Sequence, residues 1–267
     1  MRRQDRPKAF TLIELLVVIA IIALLLSIMM PALGIVKEKA KAVVCQSQVR
    51  DWGLAWTLYA NDHDGTNLNH ESAYFWFYKI APYFSSSNFA DNRGSAEGAM
   101  EVLVCPSTKP WSDAGNNSFG WGGYGRADMC WEWRRSADQG DDGSYTQGSY
   151  IASNWMMSNT GNANAYENIS EAKSDAPILA DGGFLRVSPT SEEAETSTEL
   201  VNLQGDGKGD NLPMSDSIER LLLDRHGMAT NVVFADAHAE RVDLEDMWSL
   251  KWHKSFERVD KLELPSR

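Results

Sequence analysis

The residues from Lys8 to Ala42 read KAFTLIELLVVIAIIALLLSIMMPALGIVKEKAKA, and this stretch decides the fold. Between Leu15 and Val36 it contains no charged side chain. As an α-helix this run would be about 33 Å long, because each residue adds about 1.5 Å. The hydrocarbon core of a bilayer is roughly 30 Å thick. The stretch therefore predicts a helix that crosses a membrane once.

The charges before the apolar run predict its orientation. Four basic side chains and one acidic side chain precede it: Arg2, Arg3, Arg6, Lys8 and Asp5. The positive-inside bias keeps such a segment in the cytoplasm. We therefore expect a single-pass membrane protein with a cytoplasmic N-terminus and an extracytoplasmic head.

Glu14 is the one ionisable residue near the start of the apolar run. A carboxylate at this depth is expensive unless a positive charge pairs with it. If the chain were cut between Ala9 and Phe10, the new amino group of Phe10 would lie one helical turn before Glu14. The cut would remove the basic leader. It would also create a positively charged amino group that can pair with Glu14.

The string FTLIE at residues 10–14, between a short basic leader and an apolar helix, resembles the class III signal of type IV prepilins and type II secretion pseudopilins. The resemblance implies that prepilin peptidase cleaves between Ala9 and Phe10 and methylates the amine of Phe10, and that Glu14 guides assembly. The family usually has Gly before the cut, where this chain has Ala9. The alternatives are an uncleaved anchor and a secretory signal peptide, which has a shorter apolar region of about 7 to 15 residues.

The same resemblance implies an α+β pilin-like fold, with a long N-terminal transmembrane helix packed on an antiparallel β-sheet head that has long loops. The expected parts are a leader (1–9), a transmembrane and assembly helix (10–60) and an extracytoplasmic head (61–267). The implied function is that of a structural subunit of a type II secretion pseudopilus or a type IV pilus-like filament. The implied location is the inner membrane, with a periplasmic head, from which subunits can be extracted into a filament. The implied partners are prepilin peptidase, the inner-membrane secretion or pilus assembly machinery, and other pilin-like subunits.

Charge and motifs exclude other classes of function. The formal charge is −12, and removal of a leader carrying +4 − 1 = +3 would leave −15, which disfavours nucleic-acid binding and suits cationic partners. The sequence has no nucleophile motif, phosphate loop or His-Glu-x-x-His, so we predict no enzymatic activity. Tryptophans in the polar loops leave one alternative, a membrane-tethered protein with a glycan- or metal-binding head.

Three cysteines follow the membrane segment, where disulfides can form: Cys45, Cys105 and Cys130. The contexts Val-Val-Cys45 and Val-Cys105-Pro106 resemble those of large-headed pilin-like proteins. This resemblance favours a disulfide between Cys45 and Cys105, with Cys130 left over. Three buried free thiols are the alternative, since sequence alone does not fix connectivity.

The helix is expected to continue beyond the membrane and to end near Asn61. Pro31 removes a backbone hydrogen bond and predicts a kink or local unwinding. Farther along, apolar side chains fall at i, i+3, i+4 and i+7, which predicts one face laid against the sheet of the head: Trp52, Ala55, Trp56 and Tyr59.

Oxygen side chains cluster after the helix at Asp62, Asp64 and Asn67, in a pattern that could hold calcium. The same residue types also make a turn that ends a helix. A second loop rich in glycine and oxygen ligands, residues 205–211, has the same two interpretations. Calcium is thus a possible cofactor of the head, with no position fixed.

A second resemblance concerns the C-terminal region. His226 is followed by nine residues and then Asp236, which is similar to a His-x9-Asp-Gly motif of large-headed prepilin-like proteins, with Ala237 in place of Gly. The surrounding sequence predicts a hairpin with strands at 231–235 and 239–242, closed by a different or strained turn. His226, Asp236, His238 and Glu240 could bind zinc, or His226 could bond to Asp236 or to a backbone carbonyl as a structural residue.

Several shorter patterns complete the head. Residues 149–152 and 177–181 are β-prone, and the turn signal at 181–183 predicts that residues 184–187 return as a partner strand. The aromatic run at 74–78 predicts a core strand or short helix. Trp248, Trp252 and Phe256 lie at i, i+4 and i+8, which predicts a short C-terminal helix packed on the head.

Overall fold

The computed structural model describes residues 11–70, 76–83, 102–108, 131–134, 145–183, 185–193, 218–221, 223, 225–260 and 264. The leader, the scissile bond between Ala9 and Phe10, Cys130 and the second glycine-rich loop lie outside these residues. The chain divides into two compact units, Met1–Ala40 and Lys41–Arg267.

A single helix, α1 (Leu12–Asp62), runs from the first unit into the second. It ends one residue after the predicted position and continues through Pro31 without a break, so the unwinding expected there is absent. The large apolar side chains from Leu12 to Val36 are exposed. This part of α1 is long and apolar enough to span a membrane.

Within the second unit, α1 packs on the head as its sequence predicts. Trp52, Ala55 and Trp56 are buried in the hydrophobic core, and Tyr59 packs against that core. Each of the two tryptophans also places its indole N–H on an oxygen acceptor, at 2.9 and 3.0 Å. The predicted apolar face is therefore confirmed.

The described residues of the head form two sheets. Strands β1 (Trp131–Arg134) and β2 (Tyr145–Gly148) form an antiparallel pair. The main sheet has the order β5-β3-β4-β6-β7, and its strands are β3 (Tyr150–Ser153), β4 (Pro177–Asp181), β5 (Arg186–Val187), β6 (Ala229–Phe234) and β7 (Ala239–Asp243). The α+β pilin-like arrangement is confirmed, with β3, β4 and β6 at the centre of the sheet.

The main sheet is mixed, where an antiparallel sheet was expected. Strand β5 does not return beside β4 after the turn at 181–183, and it pairs in parallel with β3 instead. The reason is that β3 and β6 already occupy both edges of β4. The free edge of β3 is the position left for the incoming strand.

The shorter elements also differ in part from expectation. The aromatic run contributes a short helix, α2 (Trp76–Ile80), with Trp76 and Phe77 buried. The C-terminal aromatics are all buried, as predicted, but they do not share one α-helix: a 3₁₀ helix at Leu244–Ser249 ends before Trp252 and Phe256. The indole N–H of Trp252 donates to the carbonyl of Met247 at 2.8 Å, which fits the tighter local path.

The predicted C-terminal hairpin is formed by β6 and β7. Its turn is closed by hydrogen bonds from Phe234 N–H to the carbonyl of His238, at 3.0 Å, and from Ala237 N–H to the carbonyl of Phe234, at 2.8 Å. Ala237 has φ +65°, in the left-handed region that favours glycine. The turn is therefore strained, as the substitution of alanine for the motif's glycine predicts.

Candidate functional sites

At the N-terminal end of α1, three hydrogen bonds join Thr11 and Glu14. The backbone N–H and the hydroxyl of Thr11 both donate to Oε2 of Glu14 at 2.8 Å, and Glu14 N–H donates to the Thr11 hydroxyl at 3.2 Å. This reciprocal pairing is a capping box, whose Thr-x-x-Glu pattern was readable in the sequence but was overlooked. Both contacts use Oε2, and no donor among the described residues reaches Oε1.

A second site lies inside the head, where four potential metal ligands converge. Cys45 on α1, Cys105 in the segment 102–108, Asp181 at the end of β4 and His226 before β6 are all buried. One ligand atom from each residue lies within 4.8 Å of the other three. We call these four residues the buried cluster.

Asp181 anchors the buried cluster through both of its carboxylate oxygens. Oδ1 accepts a short hydrogen bond from the guanidinium of Arg225, whose side chain is 2% exposed. Oδ2 lies 2.9 Å from Nε2 of His226 and 3.7 Å from Sγ of Cys45. Burial alone would raise the pKa of Asp181, but Arg225 and His226 outweigh burial and lower it, so Asp181 is ionised.

Arg225 is itself fixed by the ends of the strands. Its Nη1 also donates to the carbonyls of Ser149, at 3.3 Å, and Gly182, at 3.1 Å. The Asp181–Arg225 ion pair is therefore supported by neighbouring backbone, as a buried charge pair requires.

His226 has a fully buried side chain that uses one nitrogen for two partners. Nε2 lies 2.9 Å from Asp181 Oδ2 and 3.4 Å from Cys105 Sγ, while Nδ1 is buried without a hydrogen-bond partner among the described residues. Burial lowers the pKa of His226, but the contacts with Asp181 and Cys105 prevail and raise it to about 9.

The two thiols differ in their surroundings. Burial raises the pKa of Cys45 well above its ordinary value. Burial also acts to raise the pKa of Cys105, but hydrogen bonding from Cys45 and contact with His226 outweigh it and lower this pKa to about 7. Sγ of Cys105 also accepts from the backbone N–H of Ser107 at 3.4 Å, and Sγ of Cys45 from the Tyr150 hydroxyl at 3.6 Å. Cys105 is thus the more readily ionised thiol.

The geometry does not match a cysteine–histidine–aspartate catalytic triad. In a triad, one ring nitrogen faces the nucleophile and the other faces the carboxylate. Here Nε2 of His226 faces both Cys105 and Asp181. All four residues are buried among the described residues, an environment that suits small species such as a metal ion or a proton, or bonding between the two sulfurs.

The predicted disulfide partners, Cys45 and Cys105, meet in the buried cluster but are present as free thiols. The bridge itself stays a prediction. Sequence reasoning missed Asp181 and Arg225. The available signal for Asp181 was a carboxylate at the end of the apolar strand PILAD, which was interpreted only as the start of a turn.

The proposed calcium ligands have other partners in the head. Asn67 is buried, with its Oδ1 accepting from the indole of Trp56 at 3.0 Å and its Nδ2 donating to the carbonyl of Tyr166 at 2.7 Å. Asp62 accepts from the hydroxyl of Tyr83 at 2.9 Å, and Asp64 has φ +55° in the turn after α1. These contacts favour the interpretation as a helix-ending turn.

The residues predicted as a possible C-terminal zinc site lie in two separate places. His226 joins the buried cluster, whereas Asp236 and His238 pair with each other in the hairpin turn, with side chains 47% and 44% exposed. The ring of His238 stacks on Phe234 at 4.4 Å. Within the described part of the chain, only His226 of the C-terminal zinc candidates belongs to a group of three or more possible metal ligands.

Residues 5–30 match the family model of the prokaryotic N-terminal methylation motif. The chain carries a prepilin-type N-terminus. The motif covers the expected cleavage site and Glu14, and it continues into the exposed apolar part of α1. No curated protein and no solved structure matches the chain. The prepilin-like assignment therefore rests on the N-terminal motif together with the pilin-like arrangement of helix and sheet.

Proposed function

We propose that this chain is a structural subunit of a type II secretion pseudopilus or a type IV pilus-like filament. In this proposal prepilin peptidase cuts between Ala9 and Phe10 and methylates Phe10, and the inner-membrane assembly machinery packs the apolar helices of many subunits together. The head lies on the periplasmic side and has no enzymatic role. The single observation that carries the proposal is the methylation motif at residues 5–30, which includes the beginning of the apolar helix.

The contacts of Glu14 support a role in assembly. Its carboxylate is tied to Thr11 of its own chain through Oε2 alone. The methylated amine of Phe10 from a neighbouring subunit is a cation of the right kind for the remaining oxygen. Pairing there would neutralise the acidic side chain at the point where it enters the apolar layer.

The first test is N-terminal analysis and intact mass of the membrane-extracted protein, from cells with and without an active prepilin peptidase. We expect a start at N-methylated Phe10 only when the peptidase is active. A start at Met1 in both strains, or a cut well downstream of Val36, would exclude the filament pathway and leave a tethered or secreted binding protein.

A second test separates processing from assembly. We expect Glu14→Ala to be cleaved normally but to be lost from sheared surface fractions that contain the filament. Thr11→Ala is the matched control, because it removes the hydroxyl hydrogen bond to Glu14 and keeps the carboxylate. Normal recovery of Glu14→Ala in the sheared fraction would contradict the role given to this residue.

A further inference from the structure

We propose that the buried cluster, Cys45, Cys105, Asp181 and His226, is a structural zinc site. Two thiolates, one imidazole and one carboxylate form a donor set that suits Zn²⁺. All four residues belong to the unit Lys41–Arg267, and each comes from a different segment of that unit. The site is separate from the methylation motif and from the filament function proposed above.

The four ligand atoms lie within 4.8 Å of one another, and two of the separations between them already match a tetrahedral shell. Zinc bonds of about 2.3 Å to sulfur and about 2.1 Å to nitrogen or oxygen place neighbouring ligands about 3.4 to 3.8 Å apart. The observed separations are 3.7 Å from Cys45 Sγ to Asp181 Oδ2 and 3.4 Å from Cys105 Sγ to His226 Nε2. The separation of 2.9 Å from His226 Nε2 to Asp181 Oδ2 would need to widen by a few tenths of an ångström.

Further hydrogen bonds hold three of the four ligand residues in place. Arg225 occupies Oδ1 of Asp181, so Oδ2 is the oxygen left to act as a single ligand. The backbone N–H of Ser107 donates to Sγ of Cys105, and the hydroxyl of Tyr150 donates to Sγ of Cys45. Hydrogen bonds of this kind orient ligands in known metal sites.

The charges balance when Zn²⁺ is present. Two thiolates and one carboxylate sum to −3, Zn²⁺ adds +2, and the guanidinium of Arg225 adds +1, so the buried group is neutral. Binding would displace the thiol protons and the proton on Nε2 of His226 to solvent, because thiolate and neutral imidazole are the forms that bind zinc. With four protein ligands and no exposed face, the site is of the closed, structural type.

The test uses the full chain, purified in detergent under a reducing agent, and measures its zinc content. We expect about one zinc per chain, removable by a chelator and restored by Zn²⁺ alone. Replacement by Co²⁺ should give the intense visible bands of a tetrahedral ion, together with a thiolate-to-cobalt charge-transfer band in the near ultraviolet. This spectrum needs no variant, so it reports on the folded wild-type chain.

Variants then locate the ion. We expect Cys45→Ser, Cys105→Ser and His226→Gln each to lose the bound zinc or to weaken binding at least tenfold. Matched controls come from the exposed pair in the hairpin turn: His238→Gln and Asp236→Asn should keep full zinc content. Far-ultraviolet circular dichroism of each zinc-free variant identifies any variant that fails to fold. Such a variant is not used, and the cobalt spectrum of the wild-type chain then provides the test.

Three outcomes would overturn the proposal. The first is a Cys45–Cys105 disulfide in the chain isolated without reductant, shown by a mass two hydrogens lower, combined with no zinc uptake after reduction. The second is free thiols with no metal and no cobalt spectrum. The third is zinc that persists in the cysteine variants, which would place the ion elsewhere. None of these results bears on cleavage at Ala9, so the filament proposal is tested separately.

Discussion

Ala237 is held in a backbone conformation that its own side chain disfavours. Its φ of +65° lies in the left-handed region, which costs a non-glycine residue about 1–2 kcal/mol. Glycine there would relieve that strain but would lose about 0.5–1 kcal/mol of conformational entropy. We therefore expect Ala237→Gly to raise the free energy of unfolding by about 0.5–1 kcal/mol, measured by urea unfolding of the chain in detergent.

Ala235 is the control for this substitution, because it lies in the same turn and does not have positive φ. Ala235→Gly should lower the free energy of unfolding by at least about 0.5–1 kcal/mol, since glycine costs conformational entropy and also removes a methyl group that packs against the core. Equal effects of the two substitutions would show that backbone strain at Ala237 contributes little to the free energy of unfolding.

His253 makes the stability of the head depend on pH. Its ring lies against Trp155 and Phe256, with centroids 4.5 and 5.2 Å apart, and burial together with the nearby Lys251 lowers its pKa below the ordinary 6.5. The folded state then binds fewer protons than the unfolded state, so stability is lost as the pH falls below 6.5. We expect His253→Gln to flatten the slope of unfolding free energy against pH in this range; an unchanged slope would contradict the assignment.

At the scale of the elements, α1 approaches β6 closely at Gly53. A Cβ at Gly53 would lie 2.3 Å from Cγ2 of Val233, so the helix meets the sheet with no room for a side chain. In an open helix Gly→Ala stabilises by about 1 kcal/mol. Here we expect Gly53→Ala to destabilise by roughly 1–2 kcal/mol, because overpacking dominates.

A double-mutant cycle tests this explanation. Val233→Ala removes the atoms that a Cβ at Gly53 would strike. We expect Gly53→Ala to be less harmful in the Val233→Ala background, with an interaction free energy of at least about 0.5 kcal/mol. Additive effects would mean that the loss arises elsewhere in the helix.

The elements differ in how far their sequence predicts them. The bounds of α1 follow from local patterns: an unbroken apolar run, the face that contains Trp52 and Trp56, and a turn of Asn, Asp and Gly residues. The hairpin of β6 and β7 is also local, since its strands are adjacent in sequence. Strand β5 was placed wrongly because its partner depends on which edge of the sheet is free, and a single segment does not contain that information.

The buried cluster was only partly predictable for the same reason. Cys45, Cys105 and His226 were each singled out, but in two different hypotheses. Asp181, which joins them, is 136 residues from Cys45 and 45 residues from His226. Contacts at such separations arise from the packing of α1 on the sheet, so they become visible only when the fold is known.

At the scale of the whole molecule, the hydrophobic core formed by the described residues lies in the second unit. Its buried members begin at Cys45, and none comes from the described residues 11–40. We therefore expect a fragment of residues 41–267, exported with a cleavable signal peptide, to fold cooperatively without detergent. Its midpoint of thermal unfolding should lie close to that of the head in the full chain, as measured by circular dichroism.

A shorter fragment provides the contrast. Residues 58–267 lack Cys45, Val49, Trp52 and Trp56, which are all buried in the core. We expect this fragment to be insoluble or to show no cooperative transition, because several large side chains of the core are missing. Cooperative folding of the shorter fragment would show that the outer part of α1 is not needed by the head.

The contacts near the start of the head also determine how it would respond to mechanical load. The side chain of Asn231 on β6 donates to the carbonyl of Ala42 at 3.2 Å, and Gln46 donates to the carbonyl of Ala239 on β7 at 3.0 Å. A force applied to the N-terminal helix enters the head at these residues and at Cys45 beside them. An ion coordinated by Cys45 and Asp181 would add metal–ligand bonds to this short load path, so the rupture force of a pulled subunit would then depend on its zinc content.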